Sequence, residues 1–254
     1  MGKNLMPWLL KADQGNEGVV MRKILPLLLF VITASAYAGD LAVLENMGFS
    51  PDGRYFMFGQ HVLITGEGMA YAELGIIDVP QNDFVSGGWQ KGGWNVPLRP
   101  NQDSRGALYE LFSENADLKD RFKINHLEQG RLLYTRSNGD DEYITDADGG
   151  ESVPTLHFRD FENGREYELA LYQESGELSG EKAASFHIEL ATRDRTGSVA
   201  DYSVGRPGFM RSGVSEYRIV RVWLGPKGKS LVIGVAKVGE DLSIRYMAET
   251  LRLK

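Results

Sequence analysis

The sequence contains no cysteine among its 254 residues. This absence excludes a disulfide framework, a metal site built on thiolates and a lipidated cysteine behind a leader segment. An exported chain of this size can fold without disulfides, because its core is large enough. Histidine is also scarce: His61, His126, His157 and His187 are far apart and lack the spacing of metal ligands. We interpret His157 and His187 as ordinary residues of half-buried strands.

Basic residues are outnumbered by acidic ones, 28 to 35, and the formal net charge is −7. Removal of residues 1–38 would take away four basic and two acidic side chains, leaving 216 residues with a formal charge of −9. Such a surface repels phosphate backbones and anionic lipid headgroups. We therefore expect no nucleic-acid partner and no docking on anionic membranes.

Only one long hydrophobic run is present, at residues 24–32, and it follows the basic start Met21-Arg22-Lys23. The small residues Ala36 and Ala38 then form a signal-peptidase pattern. This order predicts a signal peptide at residues 21–38. A membrane anchor or a buried N-terminal helix is the alternative, although a bilayer span needs ~20 apolar residues.

Residues 1–20 do not belong to this signal, and we interpret them as a possible over-extended N-terminus. The mature chain is expected to comprise residues 39–254, with no membrane span after cleavage. We expect an exported protein of the periplasm or the extracellular space.

The stretch Ser50-Pro51-Asp52-Gly53 predicts a tight turn between two strands rich in phenylalanine. Proline presets φ, aspartate bonds back to the backbone and glycine tolerates positive φ. Residues 41–86 then resemble a four-stranded antiparallel meander, and residues 216–253 repeat the scheme.

Further along the chain, strict alternation at 166–171 and 186–191 predicts strands with one exposed face. Apolar residues at helical spacing predict a short helical insert at about 103–123. The predicted fold is mainly β, a single domain of blade-like antiparallel meanders, with a split into two small β-subdomains near the helices as the alternative.

The octapeptide FSPDGRYF (49–56) resembles the turn of the WD40-like β-propeller repeats found in the TolB C-terminal domain. A degraded copy, LGPKGKSLVI, stands at 224–233, and a fainter echo begins near Leu127. A propeller needs at least ~4 blades of even period. The irregular spacing of these echoes therefore argues against a full propeller.

Three longer segments, GFSPDGRYFMF (48–58), YAELGIIDVPQNDFV (71–85) and NQDSRGALYELF (101–112), resemble a broader group. That group is an uncharacterised bacterial family of predicted secreted proteins of unknown function. The resemblance implies export and carries no established activity, cofactor or catalytic residue.

The most unusual composition is SGGWQKGGWN (86–95), which predicts a glycine-rich loop bearing Trp89 and Trp94. Exposed indoles can stack on sugar rings or anchor a partner protein. The alternative is that both rings fold back onto the open end of the sheet.

The sequence contains no clear motif for a metal site, a nucleophile or a pair of catalytic carboxylates. Asp146 and Asp148 in the acidic stretch 138–151 are weak calcium candidates, because the register of a calcium-binding loop fails around them. Residues 213–217 lack the last glycine of a nucleophile elbow. Carboxylate pairs cannot be assigned from sequence spacing. We predict no catalytic residue, no cofactor and no metal.

Three functional hypotheses remain. The first is an exported protein that acts by binding or assembly, with an envelope protein or a glycan as partner. The second is a carbohydrate or envelope-polymer binder that uses Trp89 and Trp94. The third is an exported hydrolase whose site is assembled from distant parts of the chain.

Overall fold

A computed structural model describes residues 39–99, 102–137 and 153–254. The predicted signal peptide and the acidic stretch with Asp146 and Asp148 lie outside these residues. Within the described ranges, no helix is both long and apolar enough to cross a bilayer.

Three antiparallel sheets of four strands each make up most of the described chain. The first sheet follows the chain order, with β1 (Val43–Phe49), β2 (Tyr55–Ile64), β3 (Met69–Asp78) and β4 (Asp83–Asn95). The second has the order β12-β11-β10-β5, from β5 (Arg131–Thr135), β10 (Glu216–Leu224), β11 (Ser230–Val238) and β12 (Ile244–Arg252). The third follows the chain order again, with β6 (Thr155–Arg159), β7 (Glu166–Leu178), β8 (Glu181–Arg193) and β9 (Val199–Ser212).

Two helices, α1 (Arg105–Glu114) and α2 (Ala116–Arg121), connect the first sheet to the second. The mainly β prediction with a short helical insert is therefore confirmed. The three sheets of the described residues are fewer than the four blades that a propeller requires.

The helices and sheets stack in layers, which explains the hydrophobic pattern of each strand. Leu108 of α1 packs on one face of the first sheet. The opposite face of this sheet, through Phe56, packs against Trp223 of the second sheet. The other face of the second sheet, through Ile233, packs against Phe186 of the third.

The second sheet is therefore covered on both faces, so all but one residue of β11 is buried and the strand is a continuous apolar run. The third sheet is covered on one face only, and β7 accordingly alternates between buried and exposed residues from Glu166 to Leu171.

The turn at Ser50-Pro51-Asp52-Gly53 connects β1 to β2. The Gly53 amide donates to the Ser50 carbonyl at 2.8 Å, and the Ser50 hydroxyl donates to the Asp52 carboxylate at 2.6 Å. The Tyr55 amide donates to the Ser50 hydroxyl at 2.9 Å, and Gly53 adopts φ +71°. Each residue type in the turn thus serves the hydrogen bonding or the backbone angle of its position.

The three segments that echo one another in sequence meet in space at one end of the first two sheets. The Phe49 amide donates to the Glu128 carbonyl at 2.8 Å. A β carbon on Gly130 would lie 2.6 Å from the Leu224 carbonyl oxygen. The repeated glycine-containing turns therefore pack against one another and hold the first sheet on the second.

Candidate functional site

The glycine-rich segment 86–95 belongs to a strand, so the prediction of a loop was wrong. It forms most of β4, the edge strand of the first sheet, which pairs with β3 along most of its length. Glycine within a strand often marks a bulge, and β4 contains one opposite Ile76.

Trp89 and Trp94 are five residues apart in β4 and therefore point to opposite faces of the first sheet. The Trp89 ring lies 4.8 Å from the Phe84 ring and 6.2 Å from the Phe58 ring, on the face toward the second sheet. Trp94 packs on the helix side. Both indoles are half-buried. The structure does not bring them together, so one sugar ring cannot stack on both.

Trp89 lines a cavity of about 300 Å³ at the place where the edge strands β4, β9 and β12 of the three sheets lie side by side. Each sheet contributes to its wall. We call this cavity the junction pocket and define it by Trp89 of the first sheet, Lys237 and Glu249 of the second, and Arg206 and Arg211 of the third.

An irregularity in β4 shapes the aromatic wall of the junction pocket. Phe84 and Trp89 pair with Ile77 and Gly75, so the four residues 85–88 stand opposite a single residue of β3. Such bulges redirect side chains at sheet edges and next to binding sites. Here the bulge brings the two rings that flank it into edge-to-face contact.

A matching irregularity in β9 shapes the cationic wall. Arg206 and Arg211 pair with Phe186 and Ala184, so residues 207–210 stand opposite a single residue of β8. The segment contains a proline and a glycine, which regular strand interiors rarely hold. The bulge leaves the two arginines at its ends, and both line the junction pocket.

Aromatic rings hold the Arg211 guanidinium in place. Its central carbon lies 4.9 Å from the Phe209 ring centre, 5.5 Å from that of Phe186 and 5.9 Å from that of Tyr217. In the described part of the chain no carboxylate lies within 4.0 Å of it. The Arg206 guanidinium lies 4.0 Å from a carboxylate oxygen of Asp83, a long ion pair between two largely exposed side chains.

Glu249 is the buried acid of the pocket, with 5 % of its surface exposed. Burial raises the pKa of Glu249, although a hydrogen bond from the Asn82 amide and the positive charges of Arg211 and Arg206 act in the opposite direction. Asn82 also accepts from the Thr250 backbone amide at 2.6 Å, so it ties the β3–β4 turn to β12. The described lining of the pocket holds three basic side chains, Arg206, Arg211 and Lys237, against two acidic ones, Asp83 and Glu249.

A second cluster has the residue types of an acyl-transfer triad. The Ser104 hydroxyl oxygen lies 2.8 Å from His61 Nδ1, and His61 Nε2 lies 3.6 Å from a carboxylate oxygen of Glu45. Only 8 % of Ser104 and 1 % of His61 is exposed, which leaves no room for a substrate carbonyl beside the hydroxyl. Burial lowers the pKa of His61. We interpret the cluster as a link that holds the start of α1 on the first sheet.

The other candidates are metal ligands and the histidine of β6. Within the described ranges, no three His, Asp or Glu side chains converge on a point where a metal ion could bind. The calcium candidates Asp146 and Asp148 lie outside the described residues, so that interpretation stays a prediction. His157 lies 3.6 Å from a Glu168 carboxylate oxygen, and both side chains are more than half exposed.

Sequence reasoning found Trp89 but missed Arg206, Arg211, Lys237 and Glu249. One signal was available, since GRPGFMR (205–211) places proline and two glycines within a strand-like segment, which indicates a bulge. No comparable signal marks Lys237 or Glu249, which occupy ordinary alternating positions of β11 and β12.

The chain belongs to the family described as predicted secreted protein (DUF2259), whose profile matches residues 57–252. No curated protein and no solved structure matches the chain. The family assignment confirms the predicted membership of an uncharacterised secreted family, and with it the prediction of export. The resemblance of the turn at 50–53 to propeller repeats remains a prediction.

Proposed function

We propose that this exported protein is a binding protein whose junction pocket takes a ligand that combines a sugar-like ring with an acidic group. The proposal is carried by the Arg211 guanidinium, which aromatic rings position at the pocket wall without a carboxylate partner among the described residues. A fixed, unneutralised guanidinium is well suited to bind a carboxylate or phosphate through two parallel hydrogen bonds.

The aromatic wall supports the ring half of the ligand. Trp89 and Phe84 lie next to each other in the pocket, opposite the arginine-bearing bulge of β9. An indole face packs well against the apolar face of a sugar ring, and its size makes it an effective anchor. The carbohydrate hypothesis thus keeps Trp89 and no longer depends on Trp94.

The negative charge of the whole protein does not prevent an acidic ligand from binding. At physiological ionic strength, interactions between exposed charges are largely screened beyond about 8 Å. Inside the pocket, basic side chains outnumber acidic ones by three to two, and burial raises the pKa of Glu249. The local field therefore favours an anion.

Titration calorimetry with galacturonate and with neutral galactose tests the proposal. We expect the acid to bind more tightly than the neutral sugar. Replacing Arg211 by methionine should weaken galacturonate binding about 10- to 100-fold, because a hydrogen bond to a charged group contributes about 1.5–3 kcal/mol. Trp89→Ala should also weaken it.

Arg252→Met is the matched control, since Arg252 is an exposed residue of β12 that does not line the pocket. This variant should bind like the unmodified protein. Equal affinity for the acidic and neutral sugars, or an Arg211→Met variant with unchanged affinity, would contradict the proposal.

A further inference from the structure

Lys237 is the third basic side chain of the described pocket lining, beside Arg206 and Arg211. It extends from β11 into the pocket, and its amine makes no hydrogen bond or ion pair with any described residue. The acid that raises its pKa is Glu73, whose carboxylate already accepts hydrogen bonds from Gln60 and Tyr71. Lys237 is therefore a half-buried amine without a hydrogen-bond or ion-pair partner among the described residues.

The surroundings shift this amine towards its neutral, nucleophilic form. Burial is the main cause that lowers the pKa of Lys237, and the positive charges of Arg211 and Arg245 act in the same direction, while Glu73 opposes them. Glu249, the buried acid of the pocket, has a pKa that burial raises. A desolvated lysine beside another cation is the typical arrangement of lysines that form Schiff bases.

We infer that Lys237 forms a reversible imine with a ligand that carries both a carbonyl group and a carboxylate. The inference rests on the proposed function, because the arginines of the pocket would hold the carboxylate and so present the carbonyl carbon to the amine. Sugar acids in their open-chain form and 2-oxo acids share this chemistry. Pyruvate is the smallest stable probe of the class.

The step requires no oxidant or reductant. The lone pair of Lys237 Nζ attacks the carbonyl carbon, and the π electrons of the C=O bond move to its oxygen. Water in the open pocket carries a proton from the nitrogen to this oxygen, which gives a carbinolamine. The hydroxyl then takes up a second proton from water and leaves as water, while the nitrogen lone pair forms the C=N bond of the protonated imine. Hydrolysis reverses each step.

Reductive trapping tests the inference on the mature chain. The protein is incubated with pyruvate, reduced with cyanoborohydride, digested and mapped by mass spectrometry. We expect Lys237 to be labelled more strongly than any exposed lysine, since a lowered pKa raises the neutral, reactive fraction of the amine. Galacturonate, bound beforehand, should protect Lys237.

Two variants complete the test. The Lys237→Arg variant should give no trapped product at position 237. In the control Lys182→Arg, which replaces an exposed lysine outside the pocket, Lys237 should be labelled as in the unmodified protein. If Lys237→Arg does not fold, the position of the label in the unmodified protein still tests whether Lys237 forms the imine. No label, or label spread evenly over the exposed lysines, overturns the inference.

The inference and the proposed function can fail separately. If galacturonate binds and Arg211→Met weakens it, but no imine is trapped, the imine is refuted and the binding function stands. If galacturonate neither binds nor protects Lys237, the binding function is refuted as well.

Discussion

Replacing Ser230 by alanine tests whether the turn at 50–53 is fastened to the second sheet. Ser230 begins β11 and has no exposed surface, and its hydroxyl donates to the Gly53 carbonyl oxygen at 2.6 Å. Gly53 is itself buried, so water cannot replace the lost donor. An unsatisfied buried acceptor costs about 1–3 kcal/mol of the free energy of unfolding. For a chain of this size the melting temperature should fall by about 2–4 °C per kcal/mol.

Urea unfolding and calorimetry of the mature chain measure the effect. Ser212→Ala is the matched control, because the Ser212 hydroxyl also makes a short hydrogen bond, 2.5 Å to Glu181, but on the exposed surface. Water can replace that bond, so the control should stay within about 0.5 kcal/mol of the unmodified protein. If Ser230→Ala is no less stable than Ser212→Ala, the argument that the turn is held by a buried hydrogen bond is wrong.

Three further predictions concern stability. Burial lowers the pKa of His61 from 6.5, so the contribution of the neutral ring to stability is present above about pH 6.5 and is lost as the pH falls through the lower folded-state pKa. The free energy of unfolding in urea should therefore be smaller at pH 5 than at pH 8, and His61→Gln should reduce this difference. Gly88→Ala should cost about 1–3 kcal/mol, because a β carbon there would lie 2.9 Å from the Ile76 carbonyl oxygen, whereas Gly66→Ala, in open space, should not destabilise the protein in the same unfolding assay. Phe56→Ala, at a fully buried ring, should cost about 3–5 kcal/mol by calorimetry, and a loss below 1 kcal/mol would contradict the described core between the first two sheets.

Much of the secondary structure could be predicted because its signals are local. The alternation at 166–171 and 186–191 lies within β7 and β8, and the predicted strand 216–224 coincides with β10. The helical insert expected at about 103–123 contains both helices. In each case, side-chain periodicity reflects which face of the element is buried, and this is a property of neighbouring residues.

The segment 86–95 shows where local reasoning fails. Four glycines in ten residues favour a loop by composition, yet residues 89–95 pair one for one with β3 and the segment forms part of β4. Pairing with a neighbouring strand outweighs intrinsic preference, which is weaker in strands than the context that surrounds them. The error also concealed that Trp89 and Trp94 occupy opposite faces.

The junction pocket could not be predicted because its lining comes from all three sheets, and more than a hundred residues of sequence separate β4 from β9, β11 and β12. Trp89 was found for its unusual neighbours. Arg211 and Lys237 look like ordinary charged residues of strands until the stacking of the sheets places them at one cavity, where neither forms an ion pair with a described carboxylate.

The sequence by itself determined the class of the protein: an acidic, cysteine-free, mainly β chain of a secreted family, with its turns and most strands marked by short-range patterns. Only the tertiary structure decided which strand edges lie side by side, and hence that basic and aromatic side chains line one cavity. The physical reason is that strand patterns record the burial of each face, whereas a pocket depends on the order and angle in which whole sheets pack. The order and angle of sheet packing depend on contacts from all three sheets, so no single segment of the sequence determines them.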